Sequence, residues 1–403
     1  MNEKTLAAPQ AALVQPAGRL MALACLIVFM AQMATTVYLP SLPAVMRELA
    51  MSQSLVEMSI SGYVVGAALP VLFWGSAADR WGRRGPLLIS LALFVVCSLL
   101  LAFVSSAAEL LTLRVAQGIA GGGAAIIARI IVRDHWRGDD LARKLSVLSI
   151  AFITALGGGQ FIGGLIGKYS HWEAGFALMA ATGVAAALLT MGLPLQAGRP
   201  AAAASGPSPY WSILRRPGFL WPACAGGLGF ATTVTLQEVS PFVFQEHFGL
   251  AVAGFGNVGL LIGLSYFSGA MVVNRLVARV GGLRLMRAGA ALLAAATLAM
   301  LLGWHLGLLE RLPGLWLFIG LYCLTIFGQA VLFPNSMATA VSDAKEHGAH
   351  AMALCGFLQQ GLAGIAATVS VLLHHDGAWT LAVAALGLLT LSQVLFKVRA
   401  RAA

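Results

Sequence analysis

Charged positions along this chain fall in clusters, and between the clusters it runs uncharged for long distances. Eleven uncharged stretches reach 20 residues or more, among them 20–46, 58–78, 85–108, 145–167, 174–198, 247–274 and 312–342. A twelfth, 110–128, is interrupted only by Arg114. A helix needs about 20 apolar residues to cross roughly 30 Å of hydrocarbon, so the pattern predicts twelve membrane-crossing helices. Lipid leaves backbone groups no partner outside the segment, which restricts crossing elements to helices and closed barrels. Barrel strands alternate apolar and polar residues over about ten positions, and these runs are too long and too continuously apolar for that. The expected fold class is an all-α membrane protein.

The pattern breaks at 195–218, "LQAGRPAAAASGPSPYWSILRRPG", which is rich in Pro, Gly, Ser and Ala as a linker is. The expected organisation is a tail at 1–18, six helices in 19–194, the linker, six helices in 219–397 and a second tail at 398–403. Two halves of nearly equal length suggest an internal repeat. A short echo supports it: "ARVGGLRLM" (278–286) follows the eighth span where "DRWGRRGPLL" (79–88) follows the second.

Composition agrees with the pattern. Of 403 residues 59% are hydrophobic and 10% charged, with a mean hydropathy of +0.86, against about 25% charged in soluble domains. The net charge of +10 reports topology and not nucleic acid. With the N-terminus inside, all of the 25 Lys and Arg residues except Arg47, Arg114, Lys168 and Arg311 fall on the cytoplasmic side, as the positive-inside bias requires. The five cysteines lie inside expected spans without CxxC pairing and read as small core residues. The first apolar run is long enough to span and lacks a clear small-residue cleavage site, so it reads as an uncleaved helix.

Few residues carry candidate chemistry. An Arg within a span costs roughly 2.5–3.5 kcal/mol on insertion scales and marks a pathway or a proton relay. Arg114 is such a residue, with Gln117 one turn away; the alternative is that its side chain reaches back to the interface near Glu109. Glu238 is the one acid placed within a span, in "GFATTVTLQEVSPF" (229–242). It is either a proton-coupling carboxyl or an anchor at the end of its helix. Asp134 is a weaker proton candidate at the cytoplasmic end. The inward polar candidates for substrate contact are Gln32, Thr35, Thr36, Tyr38, Tyr63, Gln117, Gln237, Asn257, Tyr266, Gln329, Gln359 and Gln360. Gly159, Gly163 and Gly167 recur every four residues and give one smooth face for close packing. "HGAH" (347–350) and "HHD" (374–376) fall in loops or helix ends and are not read as metal sites. No nucleophile–base set, phosphate loop or dinucleotide motif appears, which argues against an enzyme.

Gly75, Asp79, Arg80, Gly82, Arg83 and Arg84, placed after the second span, resemble the loop signature of the major facilitator superfamily. The fourth span, "LLTLRVAQGIAGGGAAIIARIIVRD" (110–134), is similar to that family's fourth-helix motif in Arg114, Gln117, Gly118, Arg133 and Asp134. "AQMATTVYLPSLPAVMREL" resembles the first helix of the bicyclomycin/chloramphenicol-resistance (Bcr/CflA) and EmrD-like branch of drug:proton antiporters. Two positions depart from that pattern: Thr36 stands where many members carry Asp, and Gln160 where the fifth-helix antiporter motif has Pro. The resemblance implies two six-helix bundles and a cytoplasmic latch in which Asp79 pairs with Arg129 or Arg133 when the halves close. It implies export of small, mostly apolar compounds in exchange for protons, with a lipid bilayer, protons and a small molecule as the only partners. It also implies a monomer in a bacterial inner membrane with both termini cytoplasmic, and no cofactor beyond the proton gradient. Export of a metabolite such as a siderophore, amino acid or nucleoside is the alternative.

Overall fold

The computed structural model describes residues 17–69, 71–136, 138–195, 210–310, 312–344, 348–372 and 379–402. These residues are helical throughout their regular structure, with no strand among them. Among the described residues, ten helices are long and apolar enough to cross a membrane. The other two expected spans are also present, each in a different form. The second is divided into α3 (Gln53–Ala68) and α4 (Val71–Trp81). Residue 70, between them, lies outside the described residues. The twelfth is α15 (Trp379–Ala402).

The first apolar run is also interrupted. Helix α1 (Ala17–Thr36) ends before a single 3₁₀ turn at Leu39–Ser41, and the short α2 (Leu42–Glu48) follows. Pro40 and Pro43 open the turn and the short helix, where a missing N–H costs nothing. The remaining helices of the first half are α5 (Arg84–Leu101), α6 (Ala107–His135), α7 (Gly138–Tyr169) and α8 (Glu173–Met191). Those of the second are α9 (Tyr210–Leu214), α10 (Pro217–Phe242), α11 (Val252–Val280), α12 (Gly282–His305), α13 (Leu312–Asp343), α14 (Gly348–Leu372) and α15.

The packing repeats between halves. In the first, α1 packs on α6, α7 and α8, α3 on α6, and α5 on α6 and α8; in the second, α10 packs on α13, α14 and α15, α11 on α13, and α12 on α13 and α15. The echo noted in sequence has a backbone counterpart. Gly82 and Gly281 have φ of +82° and +88°, so each half makes the same left-handed turn between its second and third spans, a conformation cheap only for glycine.

Expected boundaries move by a few residues. Positions 196–209 of the expected linker, and residues 1–16 of the first tail, lie outside the described residues. Tyr210–Leu214 is helical rather than linker, because Ile213 packs into a small core with Phe219, Ala340 and Ala344. Helix starts at Ala17 and runs to Ala402, into both expected tails. The outer surface carries large exposed apolar side chains, including Phe73, Ile89, Leu188, Leu264, Leu302 and Trp316, as suits a surface whose solvent is lipid.

Two helix pairs make the largest contacts between the halves, α7 with α11 and α3 with α14, and α10 also packs on α3. At the first, a Cβ on Gly164 would stand 2.7 Å from the Gly256 Cα, and one on Gly157 would stand 2.7 Å from the Gly259 carbonyl oxygen. Gln160 Nε2 donates across this seam to the Phe255 carbonyl at 3.0 Å. The expected glycine face on α7 is therefore divided. Of the expected face, Gly159 and Gly163 meet Thr36 and Val37 within the first half, but Gly167 meets Val252 of the other half, as Gly157 and Gly164 meet Gly259 and Gly256.

Candidate functional site

Arg114 lies on α6 with no exposed surface. Its Nε donates to the Ser59 carbonyl (3.2 Å), and its Nη1 donates to the Ala34 carbonyl (3.0 Å) and to Gln117 Oε1 (2.7 Å). The guanidinium stands 4.8 Å from the Tyr63 ring, 5.2 Å from Tyr38 and 6.0 Å from Phe176, distances at which aromatic faces attract a cation. Nη2 has no hydrogen-bond partner, and among the described residues no carboxylate pairs with Arg114. Gln117 passes the network on to Ser98 Oγ (2.8 Å) and Met179 Sδ (3.6 Å), and Tyr63 donates to the Ala31 carbonyl (2.8 Å). One cation therefore ties together α1, α3, α5, α6 and α8. Its side chain points into the bundle and does not reach back to the interface.

Glu238 sits four residues before the end of α10, wholly buried, with neither carboxyl oxygen hydrogen-bonded. The helix continues past it through Pro241 into a wide turn, Val243–His247. Helix α10 packs on α3, which carries Glu57 and Ser61. Glu57 is equally buried; Gln53 donates to its Oε1 at 2.7 Å, and its Oε2 is unpartnered. Glu57 is the residue that sequence reasoning missed. It stands one position before the uncharged stretch 58–78 and reads there as the polar end of a span.

The end of the molecule that carries Pro40 is bridged between halves. Gln245 Nε2 donates to the Pro40 carbonyl (2.9 Å), and Arg47 pairs with Glu246 (3.6 Å). At the opposite end, Arg83 pairs with Asp134 at 2.9 Å and Arg133 approaches the same carboxylate at 3.8 Å. Arg84 donates to the Met191 carbonyl (2.8 Å), while Arg80 and Arg129 are exposed. Asp134, a proton candidate in sequence, is thus in an ion pair within the first half. The side chain of Asp79 and the surroundings of Gly75 lie outside the described residues, so the expected latch partners do too.

The substrate candidates separate into two groups. Several spend polar atoms on other protein groups: Thr36 donates to the Ala155 carbonyl (2.9 Å), and Gln359 Nε2 donates to Ser336 Oγ (3.1 Å) while its Oε1 is buried without a partner. Gln329, in the amide orientation that satisfies both ends, donates to the Gly229 carbonyl (3.0 Å) and accepts from Phe230 N (3.2 Å). Thr35 and Gln32 bond one another locally on α1. Tyr38 and Tyr63 are taken up by the Arg114 site. Gln237 is buried beside Glu238, Gln360 has an unpartnered Oε1, and Tyr266 lies half-buried against Phe152 of the other half at 6.1 Å. Asn257 does not point inward as expected. The packed faces of α11 carry Gly256, Gly259 and Gly263 toward α7 and Gly269 toward α13, which leaves Asn257 exposed with Leu260, Leu261 and Leu264. Of the candidate metal motifs, 374–376 and His347 lie outside the described residues. Among those described, no three His, Cys, Asp or Glu side chains converge.

A repeated bundle of membrane-crossing helices, with ionisable groups buried inside it, is the architecture of a polytopic membrane protein. The chain matches the Major Facilitator Superfamily over residues 24–368 and belongs to that family. Its family and fold are those of transporters rather than enzymes. It is 29% identical over 245 residues to an uncharacterized MFS-type transporter, YdgK, of Bacillus subtilis, covering 59% of this chain and 61% of that one. It is 30% identical over 152 residues to a bicyclomycin resistance protein homolog of Haemophilus influenzae, covering 38% of each. Multidrug resistance protein D of Escherichia coli is 25% identical over 363 residues, covering 87% of this chain and 88% of that one. The match thus spans about two fifths to three fifths of the first two relatives and most of the third. Among solved structures, a D-xylose–proton symporter superposes with a TM-score of 0.77 at 14% identity, covering 94% of this chain and 96% of that one.

Proposed function

We propose that this chain exports small, mostly apolar compounds in exchange for protons, as a monomer in a bacterial inner membrane with both termini cytoplasmic. In this reading the Arg83 end faces the cytoplasm and the Pro40 end faces outward, the orientation favoured by the distribution of Lys and Arg. The observation that carries the proposal is Glu238, a carboxyl wholly buried in a spanning helix with both oxygens unpartnered. Burying an isolated ionised carboxylate is prohibitive, so a carboxyl placed there serves to take up and release a proton. The relatives named for bicyclomycin and multidrug resistance support a drug as the cargo. No cofactor is required, because one charge crossing the membrane is worth about 2.3 kcal/mol per 100 mV.

The test is reconstitution in liposomes containing a pH-sensitive dye, with candidate drugs added under an imposed proton gradient. Drug-dependent proton movement is expected, and Glu238→Gln is expected to abolish it. Proton movement that survives Glu238→Gln would move the proton site elsewhere, and no movement with any drug would favour a metabolite as cargo.

A further inference from the structure

The lipid-facing sides of α11 and α12 run into arginine at the same turn. Arg275 and Arg279 occupy the last two turns of α11, and Arg284 and Arg287 the first two turns of α12, on either side of Gly281. Arg275, Arg279 and Arg284 are exposed. Arg287 is half-buried, and its Nε is shut off from solvent without a hydrogen-bond partner. Among the described residues none of the four is in an ion pair, and no Asp or Glu occurs between Glu246 and Glu310. The helix dipole does not help, because cations are unfavourable near the start of a helix.

The first half shows how the same turn is compensated from within. There Arg83, beside Gly82, pairs with Asp134 near the end of α6, and Arg84 donates to the Met191 carbonyl. In the second half the acid at the end of the corresponding helix, Asp343 on α13, is turned elsewhere. A Cβ on Gly218 would collide with its carboxylate, and its carbonyl accepts from Arg216 at 3.2 Å. The second half thus has the arginines of this turn without the acid that offsets them in the first. Positive charge at one end of the spans is general in membrane proteins; a cluster with no acid in reach and a shielded, unpartnered donor is particular to this turn.

The surface next to the cluster tells which anion fits. Arg284 heads an exposed stripe on α12 that continues through Ala288, Ala291, Ala295, Leu298 and Leu302, at the steps of three and four residues that keep one helix face. Arg275 lies three turns beyond the exposed Leu264, on the same side of α11. Leu276 and Val277 are exposed among the arginines. The surface therefore joins positive charge to an apolar strip, shallow where the alanines stand, that leads into the membrane. A soluble anion would use only the charge, and a neutral lipid only the strip. A phospholipid of net negative charge uses both, since guanidinium groups make strong hydrogen bonds to phosphate.

We propose that the α11–α12 turn binds an anionic phospholipid, its phosphate held by Arg275, Arg279, Arg284 and Arg287 and its chain laid along the α12 stripe. Arg287 Nε gains there the acceptor it lacks within the chain. The site lies on the lipid-facing side of the second half, apart from Arg114 and Glu238. It rests on the chain being a membrane protein, and not on what the chain transports.

The test titrates the full chain, purified in a neutral detergent, with three probes: phosphatidylglycerol, phosphatidylcholine with the same chains, and inorganic phosphate. Native mass spectrometry counts bound lipid, and the thermal midpoint follows its binding. Phosphatidylglycerol is expected to bind saturably and to raise the midpoint at concentrations where the other two do neither. Each arginine removed is expected to weaken that binding about fivefold, so Arg279→Gln/Arg284→Gln should lose roughly 25-fold by the same rule. Arg19→Gln/Arg143→Gln removes equal charge from exposed positions elsewhere at the same end and should bind as the wild type does. Size-exclusion profiles and lipid-free midpoints matching the wild type establish that the variants fold.

Equal binding of the two lipids would overturn the proposal, because the arginines would then play no part. A midpoint raised as much by phosphate would overturn it in favour of a soluble anion. Equal weakening in Arg19→Gln/Arg143→Gln would replace the site with the overall charge of that end. None of these outcomes bears on drug-dependent proton movement in liposomes, so this inference and the proposed function fail separately.

Discussion

At the residue scale the costliest object in the fold is Arg114. Insertion scales charge roughly 2.5–3.5 kcal/mol for a central Arg, and hydrogen bonds to charged groups return about 1.5–3 kcal/mol each. Its bonds to Ser59, Ala34 and Gln117, with the rings of Tyr63 and Tyr38, offset that cost. The unpartnered Nη2 shows that the compensation is incomplete. An apolar side chain of similar length removes the desolvation penalty but leaves Gln117 Oε1 without its donor, at a cost of about 1–3 kcal/mol. Arg114→Met is therefore expected to keep the thermal midpoint within a few degrees of wild type in detergent while drug transport in liposomes falls to background. Unfolding of the variant would make Arg114 a structural strut, and full transport would remove it from the site.

At the element scale the decisive feature is how closely α7 approaches α11. Gly157 and Gly164 leave no room for a Cβ against Gly259 and Gly256, whereas Gly158 has open space. Overpacking costs typically 1–3 kcal/mol, and here it also wedges apart the seam on which the halves turn. Gly164→Val is expected to lower the midpoint by several degrees and to abolish transport, while Gly158→Ala leaves the midpoint at or above wild type, since Ala favours helix over Gly. Equal effects of the two substitutions would contradict this view of the seam. The spans themselves were legible in sequence because lipid imposes one constraint, absence of charge, that holds position by position. The break at Val37–Tyr38 was not legible as a gap in charge, since the prolines that follow it, Pro40 and Pro43, do not alter the apolarity of the run. Arg114, Gln117 and Glu238 could be named because a polar residue inside an apolar run is a local anomaly. Glu57 was missed because it stands at the edge of its run, and its burial exists only once α3 packs against the helices of the other half. Gln160 read as a departure from a motif, and only the packed helices show it bonding the two halves together.

At the scale of the whole molecule, the repeat determines how the parts can move. Each half makes the same internal contacts and the same glycine turn, at Gly82 and Gly281, so each can behave as a rigid body. The halves meet along α7–α11 and α3–α14, and are bridged at one end by Gln245 with Pro40 and by Arg47 with Glu246. The ion pair is largely exposed, at 65% and 43%, and such pairs contribute only about 0–1 kcal/mol. It therefore reports closure without enforcing it, as a gate that must open in every cycle requires. Transport by rocking of two repeats about a central site needs that end to separate, and a covalent bridge there must stop it. With cysteines in place of Arg47 and Glu246, a cleavable thiol-bridging reagent long enough to span the pair is expected to join the halves and halt transport. Reductive cleavage of the bridge should restore it, and the reagent should leave transport by the parent protein, whose five cysteines are buried or half-buried, unaffected. Transport at the full rate with the bridge in place would mean that the cargo crosses without opening the Pro40 end, and the rigid-half description would have to be abandoned.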